Sequence, residues 1–247
     1  MVPVCLAEVA GDQAHLQHLH GTAFFVGQEG HFLTASHVLR AAFVNCGSSI
    51  VGLVVKDPDG NGDNLFRPIL RWNEAQSPYD IAAGRIGYAS HSWFSAPTPF
   101  GAHWLDVATY GYPETALNVG PAAFNIHLRT MKGHVQRPVP AGELPTIGRH
   151  PDCLELNFQI PAGMSGAPLF RAVGADRQEL LGVCVGSYSA ELTLYSHIEI
   201  DNAGEKYKER QIKTEQYGLA QLIEPLLDWA PDAFGGRTLR GMLSRSD

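Results

Sequence analysis

Apolar residues in this chain gather in short blocks separated by turn residues. Val2 to Val9, Gly21 to Gly27 and His31 to Ala35 follow one another, with Gln28-Glu29-Gly30 as a turn. This spacing predicts an antiparallel meander of the kind that builds all-β barrels and sandwiches. Ser36 to Ala42 then reads as a helical turn, with Ser36 or Thr34 available as its cap. Further strands are expected at Ile50 to Lys56 and Leu65 to Trp72, with a dense turn cluster from Asp57 to Asn64 between them. Asp80 stands at the mouth of another apolar strand that starts at Ile81.

The segment from Tyr88 to His103 holds Pro97, Pro99 and Gly101 and carries few strand signals, so it reads as a connection between two halves. The second half resumes at Asp106 to Pro113. Strands are expected at Ala122 to Lys132, Gly133 to Pro140 and Cys153 to Phe158, then at Leu180 to Ser187. A polar segment runs on to about Gln216 before a last strand, Tyr217 to Ile223. Leu219, Leu222, Ile223, Leu226 and Leu227 also fit a helical stripe, but Pro225 interrupts it. A short helix from Glu224 or Pro225 to Trp229 is the better reading, because proline suits a first helical position. The tail from Gly235, rich in Gly and Arg, is expected to be loose. The organisation that follows is an N-terminal unit over residues 1–95, a C-terminal unit over 96–233 and a tail over 234–247.

Composition narrows the picture modestly. A chain of 247 residues, 45% hydrophobic, can bury one large core or two small packed ones. A formal net charge of −7, with only 17% charged residues, offers no basic stripe for a nucleic acid. The four cysteines, Cys5, Cys46, Cys153 and Cys184, form no C-x-x-C pair and are too sparse for a disulfide scaffold. No zinc or other metal site is expected, and nothing in the residue pattern calls for a cofactor. Glu8 and Asp12 interrupt the first apolar run, and no stretch approaches the roughly 18 apolar residues of a membrane helix. The expectation is a soluble cytoplasmic protein with free thiols and no membrane partner.

Candidate chemistry centres on Ile160-Pro161-Ala162-Gly163-Met164-Ser165-Gly166-Ala167-Pro168. A serine is weakly nucleophilic unless a base takes its proton. Glycines on both sides allow a sharp turn and a close approach of backbone N–H groups to a carbonyl. A histidine base and a carboxylate that fixes its tautomer would complete the set. The chain supplies them as His37 and Asp80 in the first half, with Ser165 in the second.

Three motifs then carry a resemblance. Thr34-Ala35-Ser36-His37-Val38 resembles the histidine motif of chymotrypsin-like serine proteases, Tyr79-Asp80-Ile81-Ala82 their aspartate motif, and Gly163-Met164-Ser165-Gly166-Ala167-Pro168 their Gly-Asp-Ser-Gly-Gly-Pro. Leu181 to Gly186 is similar to the strand that lines their substrate groove, and the motifs stand in the family's order over residues 18 to 230. The resemblance implies an all-β fold of two six-stranded antiparallel barrels with the site between them. It also implies Ser165 as nucleophile, His37 as base and then acid, Asp80 as orienting carboxylate, and the N–H groups of Gly163 and Ser165 as an oxyanion hole. The implied activity is hydrolysis of peptide bonds in a protein or peptide substrate. Met164 stands where digestive members carry an aspartate that receives a new N-terminus, so the chain is closer to the bacterial Htr- or glutamyl-endopeptidase-like branch. The specificity pocket implied by the resemblance is built from Gln159, Ile160, Val185, Gly186, Ser187 and Gly218. It has no acidic base, which points to a small or apolar P1 residue. The alternatives are a protease-fold binding module and a latent protease gated by a regulatory partner protein.

Other residues invite blander readings. His15, His18 and His20 alternate along a loop-to-strand segment and suit a surface or edge-strand role. His197 is expected in solvent, and Glu205 to Arg210 is expected as a solvated hairpin or flap. Cys153 and Cys184 are read as free core thiols. Tyr110-Gly111-Tyr112-Pro113 is read as a strand-ending turn.

Overall fold

A computed structural model describes residues 1–11, 13–58, 64–90, 94–119, 124–144, 147–174, 177–200 and 206–244. The first six strands are β1 (Val2–Ala10), β2 (Gln13–Phe25), β3 (His31–Ala35), β4 (Ile50–Lys56), β5 (Asn64–Glu74) and β6 (Ile81–Ile86). They close in the order β1-β2-β3-β6-β5-β4, and β1 pairs with β4 to complete an antiparallel barrel. The alternating pattern of Ile50 to Lys56 puts Val51, Leu53 and Val55 inside, with Val4, Phe32, Leu39 and Ile86. Most of the turn cluster at 57–64 lies outside the described residues.

A helix, α1 (Ser36–Val44), follows β3 directly. Neither expected cap is used: Ala35 takes the cap position with no side-chain hydrogen bond. The Thr34 hydroxyl instead donates to Thr22 O at 2.7 Å, and Ser36 Oγ is buried without a partner among the described residues.

The second half contributes β7 (Phe94–Ser95), β8 (Asp106–Gly111), a small pair β9 (Leu117–Val119) and β10 (Phe124–Ile126), β11 (Arg129–Val139), β12 (Cys153–Leu156), β13 (Pro168–Ala172), β14 (Gln178–Ile200) and β15 (Lys206–Leu222). The sheet order is β13-β8-β11-β12-β15-β14-β7, and β13 also pairs with β14. Six antiparallel strands therefore close on themselves, and β7, from the segment between the halves, adds in parallel at Gln178 and Glu179 of β14. The two-barrel, all-β architecture is thus the one expected.

Four details differ from the sequence reading. Gly133 pairs with Val107 in the middle of β11, so the expected break between two strands there is one continuous strand. The polar segment after Ser187 is a long ribbon made by β14 and β15, whose residues pair from Ser187 and Gly218 out to Ile200 and Lys206. The tail is not loose over its described part. Leu239–Leu243 form a helix, α2, capped by Thr238, whose hydroxyl oxygen accepts the Gly241 N–H. Leu239, Met242 and Leu243 are buried in one cluster with Phe24 and Leu33 of the first barrel and Phe170, Leu180 and Val183 of the second. The apolar spacing 239, 242, 243 is the i, i+3, i+4 of a helix face. Each such side chain contributes roughly 1.5–3 kcal/mol on burial, so the tail helps hold the barrels together. Between the last strand and this helix, the expected short helix is a single 3-10 turn, Glu224–Leu226, with its proline near the start. No helix among the described residues is long and apolar enough to cross a membrane.

Candidate functional site

His37 is the second residue of α1, and Asp80 immediately precedes β6. Thr34 and Ala82 are register partners, as are Ala35 and Ile81, so the two motifs leave adjacent strands side by side. Both Asp80 oxygens are used on His37. Oδ1 accepts the backbone N–H of His37 at 2.8 Å, and Oδ2 lies 2.5 Å from ring Nδ1. Arg40, one helical turn on from His37, donates from Nη2 to Oδ1 at 3.1 Å. With Nδ1–H given to the carboxylate, ring Nε2 is left to accept a proton. The Asp80 backbone is fixed as well: its N–H donates to Gln221 Oε1 at 2.7 Å and its carbonyl accepts the Ser36 N–H at 3.1 Å. Gln221 lies on β15, so the second barrel fixes the backbone of the residue that carries the carboxylate.

Ser165 sits on a tight turn between Ile160 and β13. Gly163 and Gly166 both take φ +88°, a left-handed conformation that favours glycine. A Cβ on Gly166 would stand 2.1 Å from Thr22 O and 2.9 Å from Ala35 N, so the turn is pressed against the strand that leads to His37. Three of the turn's N–H groups are committed: Met164 to Pro161 O at 3.0 Å, Gly166 to Cys184 O at 2.7 Å and Ala167 to Met164 O at 3.0 Å. Those of Gly163 and Ser165 have no hydrogen-bond acceptor among the described residues. The turn thus presents two N–H donors on either side of Met164.

Met164 itself is fully buried, in the second barrel's core with Leu154, Leu156, Leu169 and Leu181. An apolar anchor therefore occupies the position where the resemblance would put an aspartate, and packing holds the turn. Thr22 of β2 clamps it from the other barrel. Its N–H donates to Ser165 O at 2.9 Å, and its hydroxyl donates to Gly163 O at 2.9 Å and accepts the Tyr112 N–H at 2.9 Å. The Tyr110–Pro113 segment is thus more than a strand ending, since Glu114 N–H also reaches Ala162 O at 2.9 Å.

The Ser165 hydroxyl donates to Val185 O, at a long 3.4 Å. No hydrogen bond joins it to His37 among the described residues. His37 and Val185 line one cavity of about 430 Å³ between the barrels, together with Asp80, Gly186, Ser187 and Gln221. The expected pocket residues divide. Val185, Gly186 and Ser187 face this cavity, whereas Gln159, Ile160 and Gly218 do not line it, nor do Gly163 and Ser165. Gln159 is exposed and Ile160 is buried. Ser187 Oγ accepts the Ile160 N–H at 2.7 Å and donates to Ile160 O at 3.1 Å, while Gly218 N–H donates to Phe158 O at 2.8 Å. The strand carrying Val185 is therefore tied directly to the loop that carries Ile160.

Other candidates fall away from the site. The four cysteines are free, and burial pushes the Cys5, Cys153 and Cys184 thiols up to about 12, so they stay protonated and unreactive at neutral pH. His15 and His18 are exposed on β2. No group of three or more His, Cys, Asp or Glu side chains among the described residues could hold a metal ion. His197 lies far out on the ribbon, and Lys206 to Arg210 lie on β15, with Glu205 outside the described residues. Sequence reasoning overlooked Thr22, Arg40 and Gln221. A signal existed for one of them: Gln221 is a polar residue inside the apolar run Leu219 to Ile223.

No family model matches the chain, and no curated protein matches it. Among solved structures, the chain is similar to one described as an HtrA-type protease AlgW with decapeptide. The TM-score is 0.53 at 16% identity, over 88% of this chain and 52% of that one. At this identity the likeness establishes the chymotrypsin-like fold, and the chain spans about half the length of that protein.

Proposed function

We propose that the chain is a serine endopeptidase in which Ser165 is the nucleophile, His37 the general base and then acid, and Asp80 the orienting carboxylate. The observation that carries this reading is the pair of uncommitted N–H groups, of Gly163 and of Ser165 itself, on a glycine turn that carries a half-buried serine, beside an imidazole oriented by a carboxylate. Ser165 Oγ adds to a peptide carbonyl carbon while its proton passes to His37 Nε2. The oxygen that gains charge is stabilised by the Gly163 and Ser165 N–H groups, whose geometry exists before substrate arrives. Collapse expels the amine with the proton from His37 and leaves an acyl-enzyme, which water then hydrolyses by the same steps. Met164 supports an oxyanion hole that needs no N-terminal ion pair.

Substrate is a peptide strand laid along Val185 to Ser187. The tie between Ser187 and Ile160 and the burial of Ile160 favour a small apolar residue at P1. The structurally similar HtrA-type protease carries a decapeptide, in keeping with this class of ligand. A second reading rests on the Ser165–Val185 bond. It holds that the free chain is a resting form whose hydroxyl must rotate to His37, and that a bound peptide or a partner drives the rotation. Hydrogen bonds between catalytic groups are commonly long or misaligned before substrate binds.

A fluorophosphonate probe should label the wild type and leave Ser165→Ala unlabelled. If labelling accelerates when a peptide ending in a small apolar residue is present, the resting-form reading gains. No labelling under either condition, with no hydrolysis of peptides varied at P1, would remove the proposal.

A further inference from the structure

Beyond the barrel, β14 and β15 run outward as a two-stranded ribbon, with Tyr188 opposite Tyr217 near its base and Ile200 opposite Lys206 at its far end. Among the described residues no other strand pairs with it past Gly218. Residues directly opposite share a face, so Leu192 and Tyr195 lie on one side and Ile198, Ile200 and Ile212 on the other. Leu192, Ile198 and Ile200 are 56%, 58% and 63% exposed. A lone two-stranded ribbon is marginal in water, and three or more strands are needed for stability.

The irregularities of the ribbon fall on β14, between Cys184 and Gly186 and between Thr193 and Tyr195, while the partners on β15 run consecutively. The outer edge of β15 is therefore regular. At its barrel end this edge is used: Gly218 N–H donates to Phe158 O and Leu222 N–H to Asp152 O. The two-residue repeat of a strand carries the same edge outward through Thr214, Ile212, Arg210 and Lys208. A long, regular, uncovered edge is a template for another strand.

The geometry points to a two-fold dimer in which this edge of β15 pairs antiparallel with β15 of a second copy of the chain, centred on Gln211. Charge and the free span of the edge select that register, since centring on Thr214 would run Arg210 against Gly218, whose N–H is already given to Phe158. Centred on Gln211, Glu209 faces Lys213 of the second copy twice over, and Arg210 exchanges backbone hydrogen bonds with Ile212. Centring on Arg210 sets two arginines against each other, centring on Ile212 sets Glu209 against Glu215, and centring on Glu209 or Lys213 sets each against itself. Like charges directly opposite are destabilising. In the single chain Lys213 reaches back along its own strand to Glu215, so the dimer inserts it between two carboxylates.

From Tyr188 to Tyr217 the sequence carries six acidic and four basic residues in a chain of net charge −7, so the attraction between copies is the local Glu209–Lys213 pairing and not net charge. A two-fold pairing is also self-complementary and closed, so it covers both β15 edges without building a filament.

Gln211 would sit on the two-fold axis in a non-hydrogen-bonded pair, where opposite Cα atoms lie about 4.5 Å apart, within the span a disulfide bridges. Under mild oxidation Gln211→Cys should become a covalent dimer that reductant reverses. Thr214→Cys, about 20 Å from its counterpart at roughly 3.4 Å per residue, should remain uncross-linked, as should the wild type. Sedimentation velocity should show a wild-type dimer. Glu209→Lys should weaken it about tenfold, and adding Lys213→Glu should restore it. Four outcomes would overturn the dimer: a wild-type monomer at every concentration, even one that takes up an added peptide strand; equal cross-linking at 211 and 214; open-ended oligomers; or a charge swap that fails to restore association.

Discussion

In the first barrel, His37 and Asp80 are held by side-chain hydrogen bonds at partly exposed positions, with Arg40 leaning on the same carboxylate. In the second, Ser165 is held by backbone hydrogen bonds around a fully buried methionine, with no ionisable side chain in the set. Rotamer changes can remake a side-chain array, whereas a packed backbone turn moves only by losing core contacts. The His37–Asp80 side is therefore adjustable and sensitive to charge, and the Ser165 turn is fixed by packing. Each side is also fixed by one buried residue of the other barrel: Thr22 reaches the serine turn and Gln221 reaches Asp80. Docking of the barrels and assembly of the site are one event.

The sharpest test of this contrast is Asp80→Asn. It keeps the shape of the side chain but lets its amide offer a proton where the carboxylate accepts one, and so favours the wrong imidazole tautomer. Peptide hydrolysis should fall by about four orders of magnitude while thermal stability changes little; a comparable loss of both would mean that the pair is structural. Next comes Thr22→Val, which removes the hydroxyl that bridges Gly163 O and Tyr112 N–H. It should cost about 2 kcal/mol by denaturant titration and lower kcat more than it raises KM, with Thr22→Ser recovering both. If Thr22→Val changes stability alone, the clamp does not set the donor geometry.

The last effect concerns acid. His31 is buried against Phe234, and burial, with Arg237 and Arg85 nearby, pushes its imidazole down to about 4. The unfolded chain therefore binds a proton that the folded one refuses. Stability from this site is fully present above the ordinary histidine value, near 6.5, and is lost as pH falls towards 4. The melting temperature should fall over that window, and the slope should flatten in His31→Gln. The serine turn, with nothing to titrate, should keep its near-neutral amide-exchange protection until the whole chain melts.

The pairing of His37 with Asp80 was legible in the sequence because each sits in a short motif at the end of a strand. The two barrels were legible from turn spacing and the resemblance together. The inter-barrel ties were not: Thr22 and Gln221 each bond a group 141 residues away, a distance over which local pattern says nothing. The ribbon was legible only at its far end, as a solvated hairpin, because its apolar residues alternate with charges on both faces and so look like a polar segment when one expects a single buried face. The tail was misread through its glycines and arginines, although Thr238 and the spacing of Leu239, Met242 and Leu243 gave a capped helix face.

That terminal helix also sets an order of events during synthesis. Leu239, Met242 and Leu243 leave the ribosome after every strand of both barrels, yet they belong to the cluster that packs one barrel on the other. The cluster between the barrels is therefore complete only once residues 239–243 have been made, so the contact between the two halves is the last part of this fold to gain its full set of side chains.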